Sequence, residues 1–231
     1  MAFAETIERL RGGVIISCQA GPAEPLHGPV YMAGMARAAE AGGAVGFRAN
    51  GALDVWAIRQ VSRLPIIGIN KIRTPEYPVY ITPTFASARV LAEAGADLIA
   101  LDATNRPRPE PLPELIARIH AELRLPVMAD CATLEDAALA AEAGADILAT
   151  TLSEEGELED DGEKGPDFAL LAELTGRFRL PVIAEGRFKD PGHIRRGFAC
   201  GAYAIVVGTA VTRPQWLTAR LVRAAKEQMQ S

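Results

Sequence analysis

The sequence predicts an α/β protein built as a single eight-stranded parallel (β/α)8 TIM barrel over residues 1–231. Three observations carry this. Related phrases recur along the chain, RLPIIGIN at 63–70, RLPVMAD at 124–130 and RLPVIAEG at 179–186, each a short apolar run that reads as a buried strand. Between them come AEAGGAVGFRAN at 39–50, AEAGADLIALDAT at 92–104, AEAGADILATTLS at 141–153 and the looser FACGAYAIVVGTA at 198–210. In each of these an Ala/Glu-rich helix ends at a Gly able to take the left-handed C-terminal position, and a strand follows almost at once. The length of 231 residues also falls inside the roughly 200 to 250 residues typical of one such barrel.

The elements follow in order. GVIISCQ opens the series with a strand near 14–19, and the repeats place the others near 44–49, 65–70, 98–103, 127–131, 147–152, 182–186 and 204–208. Strands that are continuously apolar are covered on both faces, and alternation with helices makes them parallel with right-handed crossovers. A doubly wound open sheet is the competing architecture, but the repeat shows no evident edge strand. No second domain or low-complexity linker interrupts the pattern. The acidic stretch EEGELEDDGEKG at 154–165 reads as a solvated loop after the sixth strand.

Composition excludes several partners. The net charge is −5 with both signs interspersed, which is not the clustered basic footprint of a nucleic-acid binder. The N-terminus has no basic region followed by a long apolar stretch, and no apolar run approaches the ~18 residues of a membrane span, so a cytoplasmic protein is expected. Cys18, Cys131 and Cys200 are odd in number, lack metal-like spacing and sit in apolar runs, as buried free thiols do. His27, His120 and His193 do not lie at strand ends in ligand-like spacing, and no metal or cofactor is expected.

Chemistry in such a barrel sits at the carboxyl ends of the strands. The polar residues closing each run are Gln19, Arg48, Lys71, Asp102, Asp130, Thr150 or Thr151, and Glu185 with Gly186 and Arg187. A lone Lys or Glu there is usually a solvated loop residue. Convergence of ionisable groups from the third, fifth and seventh strands on one desolvated mouth favours function for Lys71 and Glu185 as an acid–base pair. Asp102 has an equally good structural reading, as a helix cap or the partner of an Arg. Asp130 is freer: Thr133 is the natural N-cap of the next helix, with Asp136 three residues on, leaving Asp130 to face the mouth. Gln19, Arg48, Asp130 and Thr151 suit a polar substrate, although Gln19 and Arg48 could equally tie loops together.

AEGR at 184–187 and VVGTAVTRP at 206–214 close the seventh and eighth strands, where barrels frequently hold phosphate on backbone amides. Gly186 and Gly208 permit close backbone approach, or merely a tight turn. Thr209 precedes a helical start, and Arg187 and Arg213 could add charge to a phosphate.

VIISCQA with EPLHG, GGAVGFRAN, PIIGINK, YITPT, ALDATNRPRP, ADCATLEDA, ATTLS, PVIAEGR and GAYAIVVGTAVTRPQ run in the order found in N-acetylmannosamine-6-phosphate 2-epimerases, and the sequence resembles that family over nearly its whole length. The resemblance implies interconversion of N-acetylmannosamine 6-phosphate and N-acetylglucosamine 6-phosphate, a step of sialic acid and amino sugar catabolism, without an oxidising cofactor. It places the family's essential lysine at Lys71 and essential glutamate at Glu185, sugar contacts at Gln19, Arg48 and Asp130, and the phosphate region at Arg187, Gly208 and Arg213. It also suggests a homodimer. Two positions depart from the family: the loop after ATTLS, which usually continues Gly-Tyr-Thr, and Thr209, which stands where a second glycine is usual.

The implied reaction is chemically coherent. A proton leaves C2 readily only beside the C1 carbonyl of the open-chain sugar, so ring opening comes first. A lysine of lowered pKa can take that proton while a carboxyl group moves a proton between O1 and O5. Two other classes compete: a Schiff-base aldolase of a phosphorylated sugar acid, and a sensor that only binds a sugar phosphate.

Overall fold

The computed structural model describes residues 3–159 and 163–228. Its strands are β1 (Val14–Cys18), β2 (Gly46–Asn50), β3 (Ile66–Ile69), β4 (Leu98–Asp102), β5 (Val127–Asp130), β6 (Ile147–Ala149), β7 (Val182–Glu185) and β8 (Ala204–Val207). They close into a barrel in chain order, every pair parallel, with β8 returning to β1. The closed ladder excludes the open-sheet alternative.

Helices alternate with the strands: α1 (Phe3–Glu8), α2 (Pro29–Ala41), α3 (Ala52–Val61), α4 (Phe85–Glu93), α5 (Leu112–Arg118), α6 (Leu134–Glu142), α7 (Phe168–Arg177), α8 (Pro191–Ala199), α9 (Thr209–Thr212) and α10 (Pro214–Gln228). α5 runs on into a π-helical turn at Ile119–Leu123. The expected punctuation is in place. Gly95 and Gly144 follow α4 and α6 with φ of +102° and +94°, a conformation that residues with a Cβ rarely adopt. Thr84 and Thr133 cap α4 and α6, each accepting from the amide three residues on, Ser87 and Asp136, whose side chains bond back to the capping residue's own amide.

Period-two alternation divides the core in two. One face of the strands packs with the helices, and the other fills the barrel, where Ile15, Ile67, Met128 and Ile183 come from the odd strands and Leu98, Ile147 and Ala204 from the even ones. The floor is closed by α1 and the turn after it. Leu10 is fully buried among the interior residues, and Gly46 leaves it room: a Cβ there would lie 2.8 Å from Leu10 Cδ2. The same turn is tied to the other end of the chain, Gly12 N donating to Tyr203 O at 2.8 Å and the Tyr203 hydroxyl reaching Glu8 at 3.0 Å.

Two strand boundaries differ from the sequence expectation by more than one residue. β2 begins at Gly46 rather than 44, because Ala44 is still tied to the end of α2, its N donating to Ala39 O, and Val45 leads in, its N donating to Val14 O. β6 stops at Ala149 rather than 152, because the Thr150 hydroxyl takes over the ladder, accepting from Glu185 N at 3.1 Å and donating to Glu185 O at 2.8 Å.

Leu10→Ala should open a cavity in the barrel floor and cost ~2–5 kcal/mol of stability, read by urea unfolding, with the carboxyl ends of the strands unaffected.

Candidate active site

The barrel mouth is built on one buried guanidinium. Arg48, 1% exposed, projects inward from β2 and meets Asp130 at the end of β5 in a two-pronged pair, Nη1 to Oδ1 at 2.9 Å and Nη2 to Oδ2 at 2.5 Å. The same Nη1 donates to Glu185 Oε2 at 2.6 Å across the barrel. Thr151 completes the cluster, its hydroxyl 2.7 Å from Asp130 Oδ1 and 3.3 Å from Glu185 Oε2. Burial alone would lower the Arg48 pKa, but the two carboxylates raise it above its ordinary value. Burial likewise pushes the Glu185 carboxyl up, with the Asp130 charge reinforcing and Arg48 opposing. A carboxyl group so placed is suited to carrying a proton.

Lys71 stands above this floor. Burial by the protein beneath it pushes its ammonium below the usual lysine value, and the Arg48 charge adds to that while Glu185 and Asp130 oppose it. Its side chain still reaches the cavity. After Lys71 the chain loops out and comes back, Lys71 bridging Ile81 antiparallel, so that Val79–Thr82 folds over the β3–β4 side of the mouth. Thr82 is fully buried at φ +46°, its hydroxyl donating to Ala100 O at 2.6 Å and accepting from Asn70 N at 3.1 Å. The returning chain lies against the end of β4, Asp102 N donating to Ile81 O, and Asp102 takes its structural alternative, bonded to Thr104 and ion-paired to Arg106 at 2.6 Å.

What remains open is a cavity of about 650 Å³ over the β6, β7, β8 and β1 side. Of the expected residues, Gln19, Lys71, Thr151 and Glu185 line it, as do Gly186, Arg187, Gly208, Thr209 and Arg213. Arg48 and Asp130 lie under the floor and act on the cavity through Glu185 and Thr151. Two buried polar atoms have no hydrogen-bond partner among the described residues, Gln19 Oε1 and Arg48 Nε. Both belong to residues expected to bind a polar substrate.

The two expected phosphate arginines are partnered within the protein. Arg213 pairs with Glu24 at 2.9 Å, and Glu24 also accepts from Gly21 N. Arg187, held at φ +61°, donates to the carbonyls of Ser153 (2.9 Å), Gly165 (2.6 Å) and Glu155. It therefore gathers both ends of the acidic stretch onto one guanidinium. Residues 160–162 of that stretch lie outside the described ones; the rest is mostly exposed, as a solvated loop would be, yet tied to the barrel, Glu157 pairing with Arg196 and Glu159 with both Lys189 and His193. It forms a wall of the cavity, to which Glu163 and Lys164 contribute.

With this geometry in view, the comparisons with known proteins are decisive. A family profile described as "Putative N-acetylmannosamine-6-phosphate epimerase" matches residues 32–227. A protein of Thermosynechococcus vestitus described as "Putative N-acetylmannosamine-6-phosphate 2-epimerase" is 48% identical over 205 residues, 88% of this chain and 89% of that protein. One of Caldanaerobacter subterraneus subsp. tengcongensis with the same description is 44% identical and covers 98% of this chain and 97% of its own. The chain belongs to the N-acetylmannosamine-6-phosphate 2-epimerase family. A solved structure of the family, the 2-epimerase of Clostridium perfringens, superimposes with a TM-score of 0.88 at 40% identity, covering 94% of this chain and 95% of that one. A thiamine phosphate pyrophosphorylase of Pyrococcus furiosus, 19% identical with a TM-score of 0.59 over 89% of each chain, shares the fold alone.

Sequence reasoning missed several residues of this family member's cavity. Asn50 and Ser17 obey the same inward alternation as Arg48 and were legible in principle. Glu24, Lys189 and Trp216 come from loops and helix starts, which no periodicity marks. None of the cysteines lines the cavity. Burial pushes the Cys18 thiol up to about 12 and raises Cys131 further, which leaves little reactive thiolate. No helix among the described residues is long and apolar enough to cross a membrane.

Arg187→Ala should free the segments at 153–155 and Gly165 that it holds, so that a glutamate-specific protease cleaves there at least several-fold faster than in the parent protein while the far-ultraviolet spectrum is unchanged. Alkylation of Cys18 and Cys131 should be slow in the native protein and complete in urea, as counted by mass spectrometry, with activity persisting while the native thiols remain unmodified.

Proposed function

We propose that this protein interconverts N-acetylmannosamine 6-phosphate and N-acetylglucosamine 6-phosphate by removing and returning the C2 proton of the open-chain sugar. The observation that carries the reading is the pairing of a lysine of lowered pKa with a buried carboxyl group of raised pKa at one barrel mouth, in a chain of this family. Lys71 is the base at C2. Glu185 moves the proton between O1 and O5 that opens the ring, and its contact with Arg48 tunes its charge as the enediolate forms. Gln19 and Thr151 contact the sugar directly, and Arg48 and Asp130 support them from below. Neither Lys71 nor Glu185 requires a metal or redox partner for these proton transfers.

The phosphate is assigned to the β7–β8 end of the cavity. Gly186 and Gly208 bring the backbone close, the first amides of α9 at Thr209 lack helical acceptors, and Arg213 supplies charge by exchanging Glu24 for phosphate. The Arg187 contribution there is through the wall it holds. Such chemistry belongs to amino sugar breakdown, and a soluble cytoplasmic homodimer is the assembly in which we place it.

The deciding experiment is proton NMR with N-acetylmannosamine 6-phosphate in heavy water, in which the product and deuterium at C2 are read together. Borohydride with substrate should trap no adduct, which separates this reading from an aldolase; ligand binding without C2 exchange would mark a sensor. Lys71→Ala should abolish exchange as well as turnover. Glu185→Gln should slow reaction of the cyclic sugar by ~10² or more, and its residual exchange should rise with pH as Lys71 loses its proton, with no descending limb from the carboxyl group. Exchange near the parent rate in folded Lys71→Ala would transfer the role of base to another residue.

A further inference from the structure

Asn50 ends β2 two residues beyond Arg48, on the same inward face, and lines the cavity. In a continuing parallel ladder the next rung after Gly51 N to Ile69 O would bring Lys71 N to a backbone carbonyl of β2. β2 instead turns into α3 at Gly51, φ +83°, and that carbonyl is lost. The Asn50 side chain supplies the substitute, Oδ1 accepting from Lys71 N at 2.9 Å. On its other side Lys71 is held by the returning segment, Ile72 N donating to Tyr80 O and Thr82 N to Asn70 O, both at 2.9 Å. The backbone of Lys71 is thus fixed between a side chain of β2 and a folded-back strand. Because Oδ1 is committed to the lysine amide, Nδ2 carries the donors of this side chain, and it has no partner among the described residues.

We infer that Asn50 is a positioning residue for Lys71: its carbonyl oxygen sets where the lysine stands, and its amide nitrogen gives the cavity a neutral donor for a substrate oxygen next to the carbon that Lys71 deprotonates. This rests on the reaction proposed above for the same site. Neutrality is part of the role. Lys71 is faced by Arg48 from β2, Asp130 from β5, Glu185 from β7 and Arg73 from its own loop. An asparagine adds a rung and a donor without altering that balance, whereas an aspartate would keep the rung, lose the donor and add a negative charge.

The test compares Asn50→Ala and Asn50→Asp with the parent protein, reading C2 exchange against pH and, separately, the titration of Lys71. The chain has four lysines, Lys71, Lys164, Lys189 and Lys226, so 13C-methylated lysines give a resolvable NMR spectrum in which Lys71→Arg assigns the signal. Asn50→Ala should lower the exchange rate by about tenfold or more, with a smaller rise in KM, because displacing the base costs more at C2 than losing one neutral donor costs in binding. Asn50→Asp should stay folded and raise the titration midpoint of Lys71 by about one unit or more, carrying the rise of activity to higher pH. An unshifted Lys71 in Asn50→Asp, or parent-like exchange in Asn50→Ala, overturns the inference. Should the parent protein show no C2 exchange, the proposed reaction falls, while the Lys71 titration in Asn50→Asp, which needs no turnover, still decides whether Asn50 sits on the lysine.

Discussion

The mouth of this barrel depends on one guanidinium removed from water. Arg48 is charged, buried and committed to two carboxylates from strands that are not its neighbours, so β2, β5 and β7 are tied together through the barrel interior rather than around its wall. A buried ion of this kind is tolerable only when its partners and their remaining lone pairs are satisfied. Thr151 satisfies part of that demand at Asp130 and Glu185 alike. The electrostatic setting of Glu185 and Lys71 follows from the same arrangement, since each feels Arg48 with opposite sign. The floor of the cavity and the structural core are therefore one object.

A second constraint shapes the space above that floor. The segment Val79–Thr82 covers the β3–β4 side, and the wall held by Arg187 closes in beside β6 and β7, which together push the open volume towards β7, β8 and β1. The glycine-bearing ends of β7 and β8 lie at that side, and Lys71 enters from the other. A ligand with a charged end and a reacting end separated by several bonds matches this polarity of the cavity.

The αβ steps were legible in the sequence because each carries its own local chemistry: a glycine that can adopt positive φ, an apolar run of strand length, and Thr133 with Asp136 as a cap that releases Asp130. Convergence of Lys71 and Glu185 was legible for the same reason, since barrel geometry alone aims strand ends at one mouth. What escaped was long-range pairing, whether with backbone or with distant side chains. Arg187 lines the cavity from its expected position, but the carbonyl oxygens that its guanidinium also holds leave no trace in residue identity. Asp102 resembles Asp130 until the returning strand at Ile81 packs against it. The acidic stretch at 154–165 reads as solvated from its composition, and its ties to Lys189, His193 and Arg196 come from helix-side residues some thirty to forty positions on.

The bonds from Gly12 and Glu8 to Tyr203 have a consequence for how the chain is made. They join the turn after α1 to the residue that leads into β8, and β1 can complete its hydrogen bonding only when β8 arrives. During synthesis on the ribosome, β1 therefore carries an unpaired edge, and the floor residues around Leu10 lack part of their cover, until the whole span from Val14 to Val207 has been translated. Closure is a contact of very high sequence separation, which makes it slow and leaves the nascent sheet open to wrong partners. The ring that gives the finished enzyme no edge is, for most of its birth, an open sheet with two.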